Sequence, residues 1–110
     1  MIVDDYLKKL NEQDDGENFE IRSSPIHGQG CFAKRNFRKG DFIYHHFLPG
    51  EKITRFGAHL NHSSEPTAFS KKSEDGYDPV YALKDILKGD EITLNYSSRP
   101  DLEQAEADWD

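Results

Sequence analysis

With 110 residues, 35% of them apolar, and a formal net charge of −7, the chain has room for one modest core and at most one domain. The acidic balance argues against direct nucleic-acid binding, which needs a basic surface, and favours a basic peptide as the attracted partner. A lone cysteine, Cys31, excludes an internal disulfide and any multi-cysteine zinc site.

An acidic surface also serves solubility alone. No apolar run approaches the length of a membrane span, and no cationic-then-apolar signal opens the chain. The expectation is an intracellular soluble protein, cytoplasmic or, in a eukaryotic or viral setting, nuclear. Seven Phe, five Tyr and one Trp argue against disorder.

Val3, Tyr6, Leu7 and Leu10 recur at helical spacing and predict a short amphipathic N-terminal helix, followed by a polar linker, over residues 1–18. Its apolar face suits either capping the chain's own core or a homodimer contact. From Phe19 onward, short apolar pieces alternate with turns. Phe19-Glu20-Ile21 alternates as a strand does, and Phe42-Ile43-Tyr44 and Val80-Tyr81-Ala82-Leu83 are β-rich runs. Lys39-Gly40-Asp41 and Lys88-Gly89-Asp90 are turn triplets, and Asp75-Gly76 is a hairpin dipeptide. Lys39–Ile43 resembles Lys88–Ile92, which reads as reused turn chemistry because five residues are too few for a repeat. Together these signals predict a mainly antiparallel β domain over residues 19–98. Residues 99–110 form an acidic tail that is helix-compatible or frayed.

Three segments carry chemistry. Gly28-Gln29-Gly30-Cys31-Phe32-Ala33 is a glycine turn, whose missing β-carbons let backbone approach a ligand closely. It lacks the third glycine and the βαβ context of a dinucleotide fingerprint, and alone reads as a tight turn. Asn61-His62-Ser63-Ser64-Glu65-Pro66 offers an amide with both donors and acceptors. His59 and His62, with His45 or His46, are conceivable metal ligands, but no carboxylate or thiolate stands at credible spacing, so no metal is expected. The alternative for Ser63 and Ser64 is a turn bonded to its own backbone. The third segment, Asp90-Glu91-Ile92-Thr93-Leu94-Asn95-Tyr96, ends a strand in tyrosine, ordinarily a core-edge aromatic. Cys31 reads as a small buried apolar residue.

The three segments in this order resemble the SET-domain protein-lysine N-methyltransferases, over roughly residues 19–97. The resemblance implies a SET-like β-clip fold of short antiparallel strands with a knot-like C-terminal crossing, which brings the second and third segments together. It implies S-adenosylmethionine as cofactor, held by Gly28, Gln29, Gly30, Asn61 and His62, and Tyr96 as the catalytic residue. Leu94 and Tyr96 would line the substrate channel, and an apolar residue at 94 favours multiple methylation by analogy. The implied substrate is a lysine in a histone or another basic protein segment.

The chain also departs from the family pattern. Thr67 follows Pro66 where the family has Asn, at a position that mainly shapes the turn. Only nine residues separate Glu51 from Asn61, where relatives carry a longer insert walling the peptide groove. No zinc cluster follows Tyr96, and Trp109 is placed to act as a lid or to lie on a frayed end. The short insert supports an alternative, a catalytically weak or inactive SET-like module that binds a basic peptide or a partner protein. An unrelated small β protein with imitating turns is a third reading.

Overall fold

The computed structural model describes residues 18–98, and the expected N-terminal helix, the acidic tail and Trp109 lie outside them. Eight short strands form two four-stranded sheets. They are β1 (Phe19–Ser23), β2 (Gln29–Ala33), β3 (Phe42–Leu48), β4 (Lys52–Ile53), β5 (Asn61–His62), β6 (Ala68–Ser70), β7 (Asp78–Ala82) and β8 (Glu91–Leu94). One sheet has the order β1-β2-β8-β5 and the other β4-β3-β7-β6. A single helical turn, α1 (Arg55–Ala58), precedes β5, and a 3₁₀ turn (Tyr96–Ser98) follows β8. This is the mainly β architecture expected from the short runs and frequent turns.

The apolar positions explain the layering. Phe19, Phe37, Ile43, Phe56, Val80, Ile86 and Ile92 are each at most 1% exposed and come from both sheets. Phe19 ties the layers together, its ring centroid 4.8 Å from that of Phe56 and 5.3 Å from that of Tyr44. In β2, Gly30 through Ala33 are all buried, as a strand between two neighbours with both faces covered requires.

The short stretch after β4 is organised around Thr54. Its Oγ1 caps α1 by accepting from the Gly57 N–H at 2.9 Å, and donates to the His45 carbonyl at 2.7 Å. Gly57 is required by close approach, since a Cβ there would overlap the His46 carbonyl oxygen.

The likeness between the two Lys-Gly-Asp turns is architectural. Residues 31–43 match residues 80–92 in pattern, and the backbone bonds that close one loop have counterparts in the other. Phe37 and Ile86 exchange both backbone hydrogen bonds, at 2.8 and 2.9 Å, at the centre of a pseudo-twofold. Gly40 N–H donates to the Ala82 carbonyl and Gly89 N–H to the Ala33 carbonyl, both at 2.8 Å. Lys39 N–H donates to Asp85 Oδ1 at 2.9 Å, and Lys88 N–H to Asn36 Oδ1 at 2.8 Å. Asp41 and Asp90 each cap their own loop through the N–H groups of Arg38 and Leu87. The pairing Phe32↔Glu91 between β2 and β8 mirrors Phe42↔Tyr81 between β3 and β7. The symmetry breaks at the next side chain: Phe42 is an exposed aromatic on one face, whereas Glu91 turns inward.

β5 runs parallel to β8, with Asn61 opposite Thr93 and His62 opposite Leu94. It is the only parallel pair among the described strands. This pairing sets the Asn-His segment beside the strand that ends in tyrosine.

Candidate active site

Glu91 organises the site. Its carboxylate accepts from Ser24 Oγ, 2.8 and 2.9 Å from the two oxygens, and from Asn61 Nδ2 at 2.9 Å. Room for it exists because residue 30 is glycine. A Cβ at Gly30 would overlap Glu91 Oε2 and lie 3.0 Å from Asn61 Nδ2. Gly28 instead supplies the backbone bend with φ +47°, and a Cβ there would meet nothing within 4 Å, so the turn is open to approach.

Asn61 is 3% exposed. Besides Glu91, its Nδ2 donates to the carbonyls of His27 at 3.0 Å and Gln29 at 3.3 Å. Two N–H groups therefore serve three acceptors, and the amide clamps the glycine turn to β5 and β8.

The tyrosine end is joined to the same strand. Tyr96 N–H donates to His62 Nδ1 at 3.1 Å, so the neutral His62 ring carries its proton on Nε2. Tyr96 Oη donates to the Leu60 carbonyl at 2.5 Å, and Tyr96 is only 8% exposed. Its ring centroid lies 6.2 Å from that of His62 and 6.3 Å from that of His46. Leu94 is 2% exposed and belongs to the hydrophobic core. Thr67 does more than shape a turn: its Oγ1 donates to the Glu91 carbonyl at 2.9 Å and accepts from Thr93 N–H at 3.0 Å. Its own N–H donates to Thr93 Oγ1 at 3.1 Å.

All the residues expected from sequence are thus brought together, in two linked clusters. Gly28, Gln29, Gly30 and Asn61 form one, and His62, Leu94 and Tyr96 the other. Sequence reasoning did not single out Glu91, Ser24 or the Leu60 carbonyl. Among the described residues, no group of three His, Cys, Asp or Glu side chains is placed to hold a metal. His59 Nδ1 is bonded to the Arg55 carbonyl at 2.9 Å. Cys31 donates to the Phe56 carbonyl at 3.2 Å, and burial, aided by the Glu91 charge, pushes its thiol pKa far above the ordinary range.

Residues 48–97, which hold α1, the Asn-His segment and the tyrosine strand, match the SET-domain family model. Over that stretch, which is under half of the chain, the sequence is similar to the SET-domain family. No curated protein sequence matches it significantly. Among solved structures, the fold is similar to that of a Plasmodium falciparum protein described as a histone methyltransferase. Those two share 23% identity at a TM-score of 0.60, covering 74% of this chain and 95% of the other. It is also similar to the methyltransferase domain of human histone-lysine N-methyltransferase SETMAR, with 20% identity and a TM-score of 0.62, over 74% of this chain and 45% of that one. A humanized mutant of the Chaetomium thermophilum Polycomb Repressive Complex 2, bound to the inhibitor GSK126, shares 17% identity at a TM-score of 0.64. That match covers 78% of this chain and 15% of the other. At these identities the likeness establishes the SET fold. Among the described residues, no helix is long and apolar enough to cross a membrane.

Proposed function

We propose that the chain transfers a methyl group from S-adenosylmethionine to a lysine side chain in a basic protein segment, such as a histone tail. The observation that carries this reading is the joining of the glycine turn, Asn61 and Tyr96 through β5 and β8, with a buried pair of oxygens at the tyrosine end.

The residues fit the cofactor. The Gly28-Gln29 turn is exposed and its backbone approachable, and Asn61 holds that turn against the strand carrying His62. S-adenosylmethionine, when bound, supplies an activated methyl group on a positively charged sulfur. A lysine amine must be neutral to accept it, against an ordinary pKa of about 10.4. An apolar, water-poor channel favours the neutral form. The hydroxyl hydrogen of Tyr96 is committed to the Leu60 carbonyl, so its oxygen is left as an acceptor. An incoming amine can therefore only donate to Tyr96 Oη, which turns the nitrogen lone pair away from the tyrosine. In this reading Tyr96 orients the nucleophile and is not a general base. Leu94, buried in the core and paired in register with His62, would lend that channel an apolar side.

One observation favours the second reading, a SET-like module that holds a basic peptide without turnover. A two-residue strand and a single helical turn are all that stand between Gly50 and β5. The site is correspondingly less walled from water than catalysis prefers. Calorimetric titration of S-adenosylmethionine into the full chain tests the cofactor assignment. One binding site is expected, weakened at least tenfold in Asn61→Ala. A basic peptide that binds a chain showing no cofactor heat would reject the enzyme in favour of the binding module.

A further inference from the structure

Apolar exposure gathers on one face of the second sheet. Of the five large apolar side chains that stand exposed among the described residues, three lie there: Phe42 at 41%, Phe69 at 40% and Leu83 at 40%. The strand register explains the gathering. Phe42 in β3 and Phe69 in β6 both pair with Tyr81 in β7, and directly paired residues point to the same side of a sheet. The Tyr81 ring centroid lies 6.1 Å from that of Phe42 and 5.6 Å from that of Phe69. Leu83 N–H donates to the Thr67 carbonyl at 2.9 Å, which carries the β6–β7 ladder onward, so Leu83 leaves on the Tyr81 side. None of these four residues belongs to the candidate active site. A contiguous apolar patch on a domain surface marks an interaction surface.

Cations rim the patch. Lys71 N–H donates to the Pro79 carbonyl at 3.2 Å, so the strand pairing persists to Lys71, which stands on the Phe69 side. Lys39, in the turn entering β3, and Lys84, in the turn leaving β7, flank the other end, and all three lysines are exposed. The carboxylates beside them are engaged: Asp41 accepts from Arg38 N–H and Asp85 from Lys39 N–H, both at 2.9 Å. An apolar centre with a polar rim is the anatomy of a protein–protein contact.

We propose that this face docks a short acidic segment of a partner protein, apolar at its middle and carrying carboxylates on both flanks. The apolar middle covers Phe42, Phe69, Tyr81 and Leu83, and the flanks reach Lys71 at one end and Lys39 and Lys84 at the other. Lys71, opposite Pro79, and Lys84 are about 17 Å apart along β7, a span that a few extended residues cover. Exposed ion pairs are individually weak, so the rim sets orientation and encounter while the apolar centre supplies most of the affinity. A single-stranded nucleic acid fits less well. Tyr81 meets Phe42 edge-on, at 69°, so the rings offer no series of parallel faces for successive bases, and Leu83 offers none. The chain's net charge of −7 also repels a polyphosphate more than a segment with a few carboxylates.

The test titrates the full chain into a fluorescein-labelled peptide, Leu-Ser-Phe between two triplets of glutamate, with anisotropy as the readout at low salt. It is expected to bind at least tenfold more tightly than a glutamate homopolymer of equal length, the same peptide with lysine flanks, or an equally long oligothymidylate. Phe69→Ser combined with Leu83→Ser should weaken it at least tenfold, and Lys39→Glu combined with Lys84→Glu at least threefold. The second pair leaves the apolar patch intact, so centre and rim are tested independently. On the wild-type chain the peptide should shift the amide signals of residues 67–71 and 79–84. No binding, equal binding of the homopolymer or the lysine-flanked peptide, or tighter binding of the oligonucleotide would overturn the proposal. So would unchanged affinity in either variant, or amide shifts confined to other surfaces.

Discussion

Removing the Glu91 carboxylate perturbs the site at its centre. Glu91→Ala deletes the acceptor for Asn61 Nδ2 at 2.9 Å and for Ser24 Oγ at 2.8–2.9 Å. Hydrogen bonds to a charged group contribute about 1.5–3 kcal/mol each, so the gross loss is about 3–6 kcal/mol. Glu91 is half-buried, and Asn61 keeps its two carbonyl acceptors. Water therefore offsets part of the loss, leaving about 2–3 kcal/mol. For a domain of this size that lowers Tm by about 10–20 °C. Glu91→Gln keeps an oxygen for Asn61 and presents an amide to the Ser24 hydroxyl, so it should cost about 1 kcal/mol. Thermal unfolding by circular dichroism reads both. Cofactor affinity should follow the same order, falling further in the alanine variant because the glycine turn loses its clamp. If both variants melt within 2 °C of wild type, the carboxylate does not organise the site and the reasoning is wrong.

Other consequences are independent of this one. The Cys31 thiol, buried and raised in pKa, should resist a thiol reagent at pH 8 in the native chain and react promptly in urea, and rapid native labelling would contradict its placement. Burial holds the His45 pKa below its ordinary value of about 6.5, against the raising effect of Asp75 and Asp78. That contribution is present above about pH 6.5, where native and unfolded forms are both neutral. It is lost as pH falls through the depressed native value, because the unfolded chain takes up the proton first. His45→Phe should flatten the fall in Tm between pH 7 and 5, and an unchanged slope would place the titration elsewhere. Gly57→Ala forces a methyl into the His46 carbonyl and should destabilise by about 1–3 kcal/mol or more in denaturant titration.

Much of this arrangement was legible in the chain. Phe19, Phe42 and Val80 each mark a strand that forms, and the glycines at 40, 76 and 89 take the positive φ their turns need. The three motifs meet because of local chemistry that sequence displays, namely an amide, two glycines and a terminal-strand tyrosine. Glu91 escaped notice because an acidic residue after a Lys-Gly-Asp turn ordinarily reads as a solvated strand end. Only the tertiary approach of Gly30 shows why it points inward. The signal that could have found it is the break in the internal likeness, where Phe42 and Glu91 are the mismatched pair between two matching turns. The pseudo-symmetry itself was hidden because identity is confined to five of thirteen positions, while the bonds that define it run mostly through backbone. The parallel β5–β8 pairing spans two residues per strand, too short for any periodicity to announce.

Transfer of a tritiated methyl group from S-adenosylmethionine to a histone octamer tests the functional reading most directly, with wild type and Tyr96→Phe compared side by side. Wild type should label lysine. The phenylalanine variant, which keeps the ring but loses the oxygen facing Leu60, should lose at least a hundredfold in rate while retaining cofactor binding. Equal rates for the two proteins, or a wild type that binds cofactor and labels neither histones nor lysate proteins, would contradict it.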